Sequence, residues 1–415
     1  MQLGDVIHGE LAGNGKPLDG VRILSLEQMQ AMPFATQLMA RLGADVVKIE
    51  HPVHGDLGRS SLPAMTGPDG RRVGATFLRN NLGKRSIGID LRSPAGRDLV
   101  LRLAPRFDVV CENFKAGSLR KLGLGYDDVA AVHPAVVYVS ISGFGNTTES
   151  PYGSWPAYAA VAEAMSGLYE WKRPEGQPPN VVPAGALGDI ATGMFGAVGL
   201  LAALRHRDRT GVGQYVDVAM FDAMLAFADV VTNFWSMGER SGQGDGPELI
   251  LDGFPAADGW FIIQVGREHE FERLAKLVGR PEWVTDERFA TRAGWRTHID
   301  AIREGVASWT ADKTSVAACH ELAAAGIAAG PVFSAEQVLA DPHVANRNMI
   351  VEVERNDGVP TPIAVPGNPV KMSAVAEGPE TRPPWLSEHT AGVLADELGL
   401  TESELKALRA DGVIN

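Results

Sequence analysis

Short apolar runs typical of strands alternate with helical segments along the first half of the chain, and this alternation constrains the fold most. Residues 21–26 (VRILSL) are typical of a buried strand, and residues 33–43 follow with helical spacing, with Pro33 and Gly43 near the two ends. Residues 45–50 (DVVKIE) resume the strand pattern. Further strands are predicted at 86–91, 108–113, 136–142 and 214–219, and further helices at 94–106 and 190–205. The alternation predicts a Rossmann-like α/β fold, an open parallel sheet with helices on its faces.

In a sheet of this kind, ligands bind beyond the carboxyl ends of the strands. The sequence therefore directs attention to the loops that follow Leu26, Glu50, Glu112 and Ser142.

A glycine-rich and charged segment at 237–250 is typical of a linker and indicates a second domain. We predict a large α/β domain over 1–225, which binds the ligand, and a smaller α+β domain with its linkers over 226–335. The smaller domain should contain a hairpin in the stretch FPAADGWFIIQV. Residues 336–415 resume strand-like alternation at 349–354 and are expected to return to the large domain.

The net charge of −13 argues against a nucleic-acid partner, because such binding depends on basic residues that neutralise phosphates. Two cysteines in 415 residues are typical of a reducing compartment, and the polar, acidic first ten residues do not resemble a signal peptide. The apolar stretch at 194–204 is too short to span a bilayer. We therefore expect a cytoplasmic protein without a membrane partner.

Common catalytic motifs are missing from the sequence. It contains no HExxH or His/Cys metal spacing, no Walker A sequence, no GxGxxG at a strand-to-helix turn and no GxSxG. Zinc, nicotinamide and serine-hydrolase chemistry therefore lack support, and we expect no metal and no permanently bound cofactor.

One basic segment stands out in this acidic chain. Between Arg79 and Lys121 lie ten Lys/Arg and four Asp/Glu residues, a local net charge of +6. One interpretation is that these are solvated helix faces, and the other is an anion site near the strand ends. The phosphates of coenzyme A (CoA) would suit such a site, and Lys84 and Arg85 are two of its candidate cations.

Asp189 is the best single candidate for catalysis. It lies in PAGALGD, directly before a helix in which Gly193, Gly196 and Gly199 are spaced three apart. Such a glycine face requires either close packing or the approach of a ligand. Asp189 could simply cap the helix. A carboxylate at a helix amino terminus could also act as a nucleophile.

Several segments, taken together, resemble one known family, the family III CoA-transferases, which include the formyl-CoA:oxalate and carnitine CoA-transferases. The resemblance spans about residues 18–372, and its motifs stand in the family's order. The segments are LDGVRILSLEQMQAMPFATQLMARLGADVVKIEHP, GKRSIGIDL, VVCENFKAGSLRKLGLGYDD, AMSGL, GALGDIATGMFGAVGLLAAL, RTGVGQYVDVAMFDA and GPVFSAEQVLADPHV.

The resemblance implies an EC 2.8.3-type enzyme with acyl-CoA and a carboxylic acid as its small-molecule substrates, built as an interlocked homodimer. It implies that Asp189 attacks the thioester to form an aspartyl anhydride, and that Gln30 donates hydrogen bonds to an acyl or carboxylate oxygen. The residues assigned to the CoA site are His51, Lys84, Arg85, Asn113, Phe114, Lys121, Leu122 and Tyr158.

The sequence also departs from the family's branches. Gln30 favours the oxalate/formate branch, but SGQGDGPELILDG stands where that branch has consecutive glycines. The racemase branch uses a histidine where this chain has Tyr158, and an ordinary tyrosine is a poor base. An acyl-CoA racemase or epimerase and a non-catalytic CoA-binding protein remain the alternatives, and the sequence leaves donor and acceptor open.

Overall fold

The computed structural model describes residues 1–67, 69–171, 173, 176–181, 185–239 and 249–415. Within these residues the strands are β1 Arg22–Leu26, β2 Asp45–Glu50, β3 Ala64–Thr66, β4 Arg72–Gly74, β5 Arg85–Gly88, β6 Val109–Glu112, β7 Val137–Ser142, β8 Gln214–Ala219, β9 Ile250–Ala256, β10 Gly259–Val265, β11 Ala328–Pro331, β12 Ile350–Val353 and β13 Ile363–Pro366. The α-helices are α1 Ala31–Arg41, α2 Ala75–Asn80, α3 Pro94–Leu103, α4 Ser118–Lys121, α5 Tyr126–Val132, α6 Ala159–Met165, α7 Leu187–Thr210, α8 Met220–Phe227, α9 Val230–Ser236, α10 Glu268–Leu277, α11 Arg292–Thr297, α12 Ile299–Trp309, α13 Ser315–Ala324, α14 Ala335–Ala340, α15 Pro342–Asn346, α16 Thr390–Leu398 and α17 Glu402–Ala410.

The main sheet has the strand order β5-β2-β1-β6-β7-β8, and every pair of neighbours runs parallel. This confirms the predicted α/β fold with an open parallel sheet. The chain fills one side of β1 first, with β2 and β5, and then the other side, with β6, β7 and β8. The order reverses between β1 and β6, so the crevice in which such sheets bind ligands lies beyond Leu26 and Glu112.

The chain divides into two compact units, Met1–Gly238 with Ala345–Asn415, and Glu239–Val344. The domain boundaries predicted from the sequence fall after residues 225 and 335. Most of the predicted linker at 237–250 lies outside the described residues, namely positions 240–248.

In the first unit the end of the chain packs on the sheet. Helices α16 and α17 contribute Val393, Leu394 and Leu405 to a buried core that also contains Val47 and Ile87 of the sheet.

The second unit has its own sheet and core. Strands β9 and β10 form the predicted hairpin, and β11 joins the other side of β10 in antiparallel pairing. Phe271 stacks on Trp295 with the ring centres 4.6 Å apart, inside a core of buried aromatic and aliphatic residues. From Phe261 to Val265, buried and exposed residues of β10 alternate strictly, as expected for a strand with one face on the core and one in solvent.

Helix α7 is the long helix of the first unit, and its glycines explain its position. A Cβ atom at Gly193 would lie 2.6 Å from the Ala31 carbonyl oxygen of α1, and one at Gly196 would lie 2.9 Å from Ile141 of β7. The glycine face therefore allows α7 to pack closely against both α1 and the sheet. By length and composition α7 could cross a membrane, but half of its apolar window is buried inside the protein.

Candidate active site

The loop after β1 is held in place from two sides. The backbone N–H of Gln28 donates to Asn113 Oδ1 at 2.9 Å, and Asn113 Nδ2 donates to the Gln28 carbonyl at 2.9 Å. Met29 has the left-handed φ of 62°, uncommon for a residue with a side chain, and its N–H donates to Asp56 Oδ1 at 2.8 Å. These contacts join the loops at the crevice and fix where α1 begins.

A group of buried charges lies beneath this loop, and Lys84 belongs to it. Lys84 Nζ lies 2.7 Å from Glu27 Oε1, and Lys48 Nζ lies 2.7 Å from Asp56 Oδ2, with all four side chains fully buried or nearly so. Burial lowers the pKa of Lys84 to about 8. The structure therefore contradicts the assignment of Lys84 to the CoA phosphates, because its ammonium group neutralises Glu27 inside the protein.

Arg85 lies at the other edge of the sheet. It begins β5, and its guanidinium binds the carboxylate of Asp45, at the start of β2, with distances of 3.0 and 2.5 Å. The predicted CoA contact of Arg85 is therefore wrong for a site at the carboxyl ends of the strands. The basic segment that suggested both contacts does not form a single anion site.

Asp189 is the third residue of α7, and it lies close to the start of α1. Because α7 leads into the amino end of β8, its own amino terminus lies at the carboxyl edge of the sheet. Gly193, one turn after Asp189, approaches the Ala31 carbonyl, and Gln30 directly precedes α1. The structure thus brings the two predicted catalytic residues, Asp189 and Gln30, to the same region.

Arg79 of α2 completes this group. Its Nη2 donates to Gln30 Oε1 at 2.5 Å. Burial lowers the pKa of Arg79 from its ordinary value, and the carboxylate of Asp189 attracts the guanidinium and opposes that change. A positive charge therefore lies near enough to the candidate nucleophile to attract it, while the same side chain orients Gln30.

The helix amino terminus itself is capped by Glu163 of α6. Glu163 Oε1 accepts a hydrogen bond of 2.8 Å from the Gly188 N–H, and the Tyr169 hydroxyl donates to Oε2. Asp189 is therefore not the group that satisfies this N–H. Burial and the nearby Glu163 raise the pKa of Asp189 from 3.8 to about 6, against the attraction of Arg79. An ionised Asp189 is a poorly solvated carboxylate.

Arg79 and Glu163 were missed as site residues from the sequence. Arg79 was only one of ten basic residues in its segment, and the short α2 that carries it was not predicted. Glu163 had a recognisable signal, since it is the one charged residue of the α6 sequence AAVAEAM. A lone carboxylate in an apolar helical segment indicates a buried partner.

The residues assigned to CoA from the family pattern occupy several loops at the carboxyl edge. His51 follows β2, and its Nδ1 accepts from the Val53 and His54 N–H groups at 3.1 and 3.2 Å. Asn113 and Phe114 follow β6, and the Phe114 N–H donates to Glu112 Oε2 at 2.7 Å.

The other assigned residues differ in exposure. Lys121 ends α4 with an exposed side chain, whereas Leu122 packs partly against the core. Tyr158 is 70% exposed and directly precedes Ala159, whose Cα would lie 2.9 Å from a Cβ atom at Gly188. Tyr158 thus lies next to the start of α7, near Asp189. Among the described residues no group of three or more His, Cys, Asp or Glu side chains is placed to hold a metal ion.

Comparisons with known proteins identify sequences and structures that are similar to this chain. The sequence model of CoA-transferase family III matches residues 18–390. The chain is 37% identical over 394 residues to the succinyl-CoA:mesaconate CoA-transferase of Haloarcula hispanica, covering 92% of this chain and 96% of that protein. It is 35% identical over 413 residues to the succinyl-CoA–D-citramalate CoA-transferase of Chloroflexus aurantiacus, covering 96% and 98%.

A solved structure is also similar. The crystal structure of a CaiB/BaiF family protein from Brucella suis superposes with a TM-score of 0.80 at 33% identity, covering 92% of this chain and 99% of that one. The resemblance found in the sequence motifs is therefore confirmed over nearly the whole chain.

Proposed function

The chain belongs to CoA-transferase family III, and we propose that it moves CoA from an acyl-CoA donor to a carboxylic acid acceptor with Asp189 as nucleophile. One observation carries the assignment of Asp189. Its carboxylate lies in the first turn of α7 without capping it, because Glu163 accepts the Gly188 N–H instead. Burial keeps it poorly solvated, and its pKa of about 6 leaves it ionised at neutral pH.

The chemistry proceeds by exchange of acyl groups on Asp189. A carboxylate oxygen of Asp189 attacks the thioester carbonyl carbon, the C–S bond breaks, and CoA leaves as the thiolate with the electron pair. The resulting mixed anhydride is attacked by the acceptor carboxylate, which releases the first acid and leaves a new anhydride. The thiolate then attacks the new acyl group and regenerates Asp189. Covalent catalysis of this kind divides one difficult exchange into easier steps.

Gln30 and Arg79 fit the demands of these steps. The Gln30 amide N–H groups are available for an oxygen that gains charge, because its Oε1 already accepts from Arg79. Arg79 supplies a positive charge near Asp189.

We propose a dicarboxylic substrate, with succinyl-CoA as the first donor to test. Arg79 could pair with the free carboxylate of such an acyl group, and a guanidinium suits that partner. Both curated relatives described above are named for succinyl-CoA. A formyl group has no second carboxylate and would not use this charge.

For CoA itself we propose the loops that carry His51, Asn113 with Phe114, Lys121 with Leu122, and Tyr158. CoA is a substrate in this scheme, and no resident cofactor takes part.

We also propose a homodimer. On α7 the side chains of Met194, Phe195 and Val198 are 53%, 44% and 64% exposed. These apolar residues share a face at helical spacing, and a second copy of the chain would cover it.

The test is a transfer assay with succinyl-CoA and a panel of acids that includes mesaconate, glutarate, oxalate and acetate. Asp222→Asn is the matched control for Asp189→Asn, because Asp222 is also the third residue of its helix, α8, and is exposed. We expect transfer by the wild type and Asp222→Asn, and none by Asp189→Asn, which should still bind CoA. Racemisation of a 2-methylacyl-CoA without transfer would favour the racemase instead, and CoA binding without turnover would indicate a binding protein.

A further inference from the structure

Glu163 is a buried carboxylate with two donors and no cationic partner among the described residues. It is 3% exposed, and it accepts hydrogen bonds from the Gly188 N–H at 2.8 Å and from the Tyr169 hydroxyl. Both of its oxygens therefore serve as hydrogen-bond acceptors, one for a backbone N–H and one for a hydroxyl. Burying a charge without a cationic partner is energetically unfavourable. We therefore infer that Glu163 has a function at this position beside the nucleophile.

The position of Glu163 has two consequences for Asp189. A helix amino terminus favours negative charge, and Glu163 takes the hydrogen bond that this terminus offers at Gly188. Glu163 also repels the carboxylate of Asp189, whereas Arg79 attracts it. Among the residues that the structure describes, these are the two charged groups that act on Asp189, one from α6 and one from α2.

Resting on the function proposed above, we propose that Glu163 is a positioning residue for the nucleophile: it occupies the amino terminus of α7 and holds a second negative charge beside Asp189, which acylation of Asp189 relieves. When the C–O bond of the anhydride forms, Asp189 loses its charge, and the electron pair of the broken C–S bond leaves on the thiolate. The repulsion between Glu163 and Asp189 therefore exists in the free enzyme and disappears in the acyl-enzyme. Burial first, and this repulsion second, raise the pKa of Asp189 to about 6.

The test measures the titration of Asp189 without substrate. A water-soluble carbodiimide with an amine modifies protonated carboxyl groups, and peptide mass spectrometry follows the peptide that contains Asp189 against pH. In the wild type we expect half-maximal modification at about pH 6. In Glu163→Gln, which keeps the shape and an acceptor for Gly188, the midpoint should fall by about one unit, the lower end of what a neighbouring charge does to a carboxyl group.

Three further variants separate charge from structure. Glu170→Gln makes the same charge change at an exposed carboxylate paired with Arg173, and it should leave the midpoint unchanged. Glu163→Asp keeps the charge and should restore the midpoint toward the wild type. Arg79→Gln removes the positive charge that opposes the effect of Glu163 on Asp189, and it should raise the midpoint. It therefore tests the electrostatic effect on Asp189 if Glu163→Gln does not fold.

Kinetics provide the second readout. Glu163→Gln should lower kcat by up to about tenfold, which corresponds to one pKa unit of lost repulsion, with the KM for acyl-CoA unchanged. An unchanged midpoint in Glu163→Gln, or in Arg79→Gln if the first variant does not fold, would overturn the proposal, and so would a rise in KM without a fall in kcat. A wild type that titrates as expected but transfers no CoA would refute the proposed function rather than the charge arrangement.

Discussion

Replacing Asp189 by asparagine should abolish transfer and stabilise the folded protein. Asparagine keeps the shape of the side chain and removes its charge. In the folded protein burial and Glu163 raise the pKa of Asp189 to about 6, compared with an ordinary value of 3.8. A difference of about two units corresponds to about 3 kcal/mol, since one unit is about 1.4 kcal/mol. Partial exposure of the side chain screens part of this energy, so we expect about 1–3 kcal/mol.

The pH dependence of stability shows whether Asp189→Asn is more or less stable than the wild type. A carboxyl group with a raised folded-state pKa binds its proton more tightly in the folded protein than in the unfolded chain. Its stabilising contribution is present below about pH 4 and is lost as the pH rises through about 6. The stability of Asp189→Asn relative to the wild type should therefore rise between these values and stay constant above them.

Urea denaturation at several pH values between about 4 and 8 measures this difference. Asp222→Asn is the matched control, since Asp222 occupies the same helical position in α8 but is exposed. It should lose about 0.3–1 kcal/mol at neutral pH, because its charge favours the helix terminus. If Asp189→Asn were likewise less stable than the wild type near neutral pH, Asp189 would be a helix cap, and our account of the nucleophile would be wrong.

Three further predictions test separate parts of the structure. Lys121→Ala should weaken CoA binding, measured by calorimetry, about tenfold at low ionic strength and much less at about 1 M salt. An equal loss of affinity at both salt concentrations, or the same loss in the exposed control Lys406→Ala, would remove Lys121 from the CoA site. Gly193→Ala should destabilise the protein by about 1–3 kcal/mol, because the new Cβ atom would meet a backbone oxygen at 2.6 Å. Gly392→Ala in α16, where a Cβ atom meets nothing within 4 Å, should instead stabilise it by up to about 1 kcal/mol, and a similar loss in both variants would refute the packing argument. Burial raises the pKa of Glu112 to about 7, so the melting temperature of Glu112→Gln relative to the wild type should rise between about pH 5 and 8, and a constant difference would contradict that pKa.

The sequence was sufficient for the architecture of the main sheet. Its strands are short apolar runs, and the segments between them are longer and have helical spacing, so length and spacing together distinguish strands from helices. The three glycines of α7 predicted either close packing or the approach of a ligand, and the contacts at Gly193 and Gly196 show close packing. The strands β3 and β4, three residues each, are too short for a periodic signal and were not predicted.

The site was predicted only in part, for a physical reason. Lys84 and Arg85 are adjacent in a basic segment, but one neutralises the buried Glu27 and the other binds Asp45 at the far edge of the sheet. Composition reveals how many charges a segment has, whereas their partners come from distant segments that only the fold brings near. The pairing of Glu163 with the start of α7 depends on contacts of the same kind.

The most direct test of Asp189 as nucleophile is to incubate the enzyme with succinyl-CoA, trap with hydroxylamine and map the peptides by mass spectrometry. We predict a hydroxamate at Asp189 in the wild type and in Asp222→Asn, and none in Asp189→Asn. Transfer of CoA without any modification of Asp189, or a hydroxamate at Glu163 instead, would contradict the assignment of Asp189 as the nucleophile.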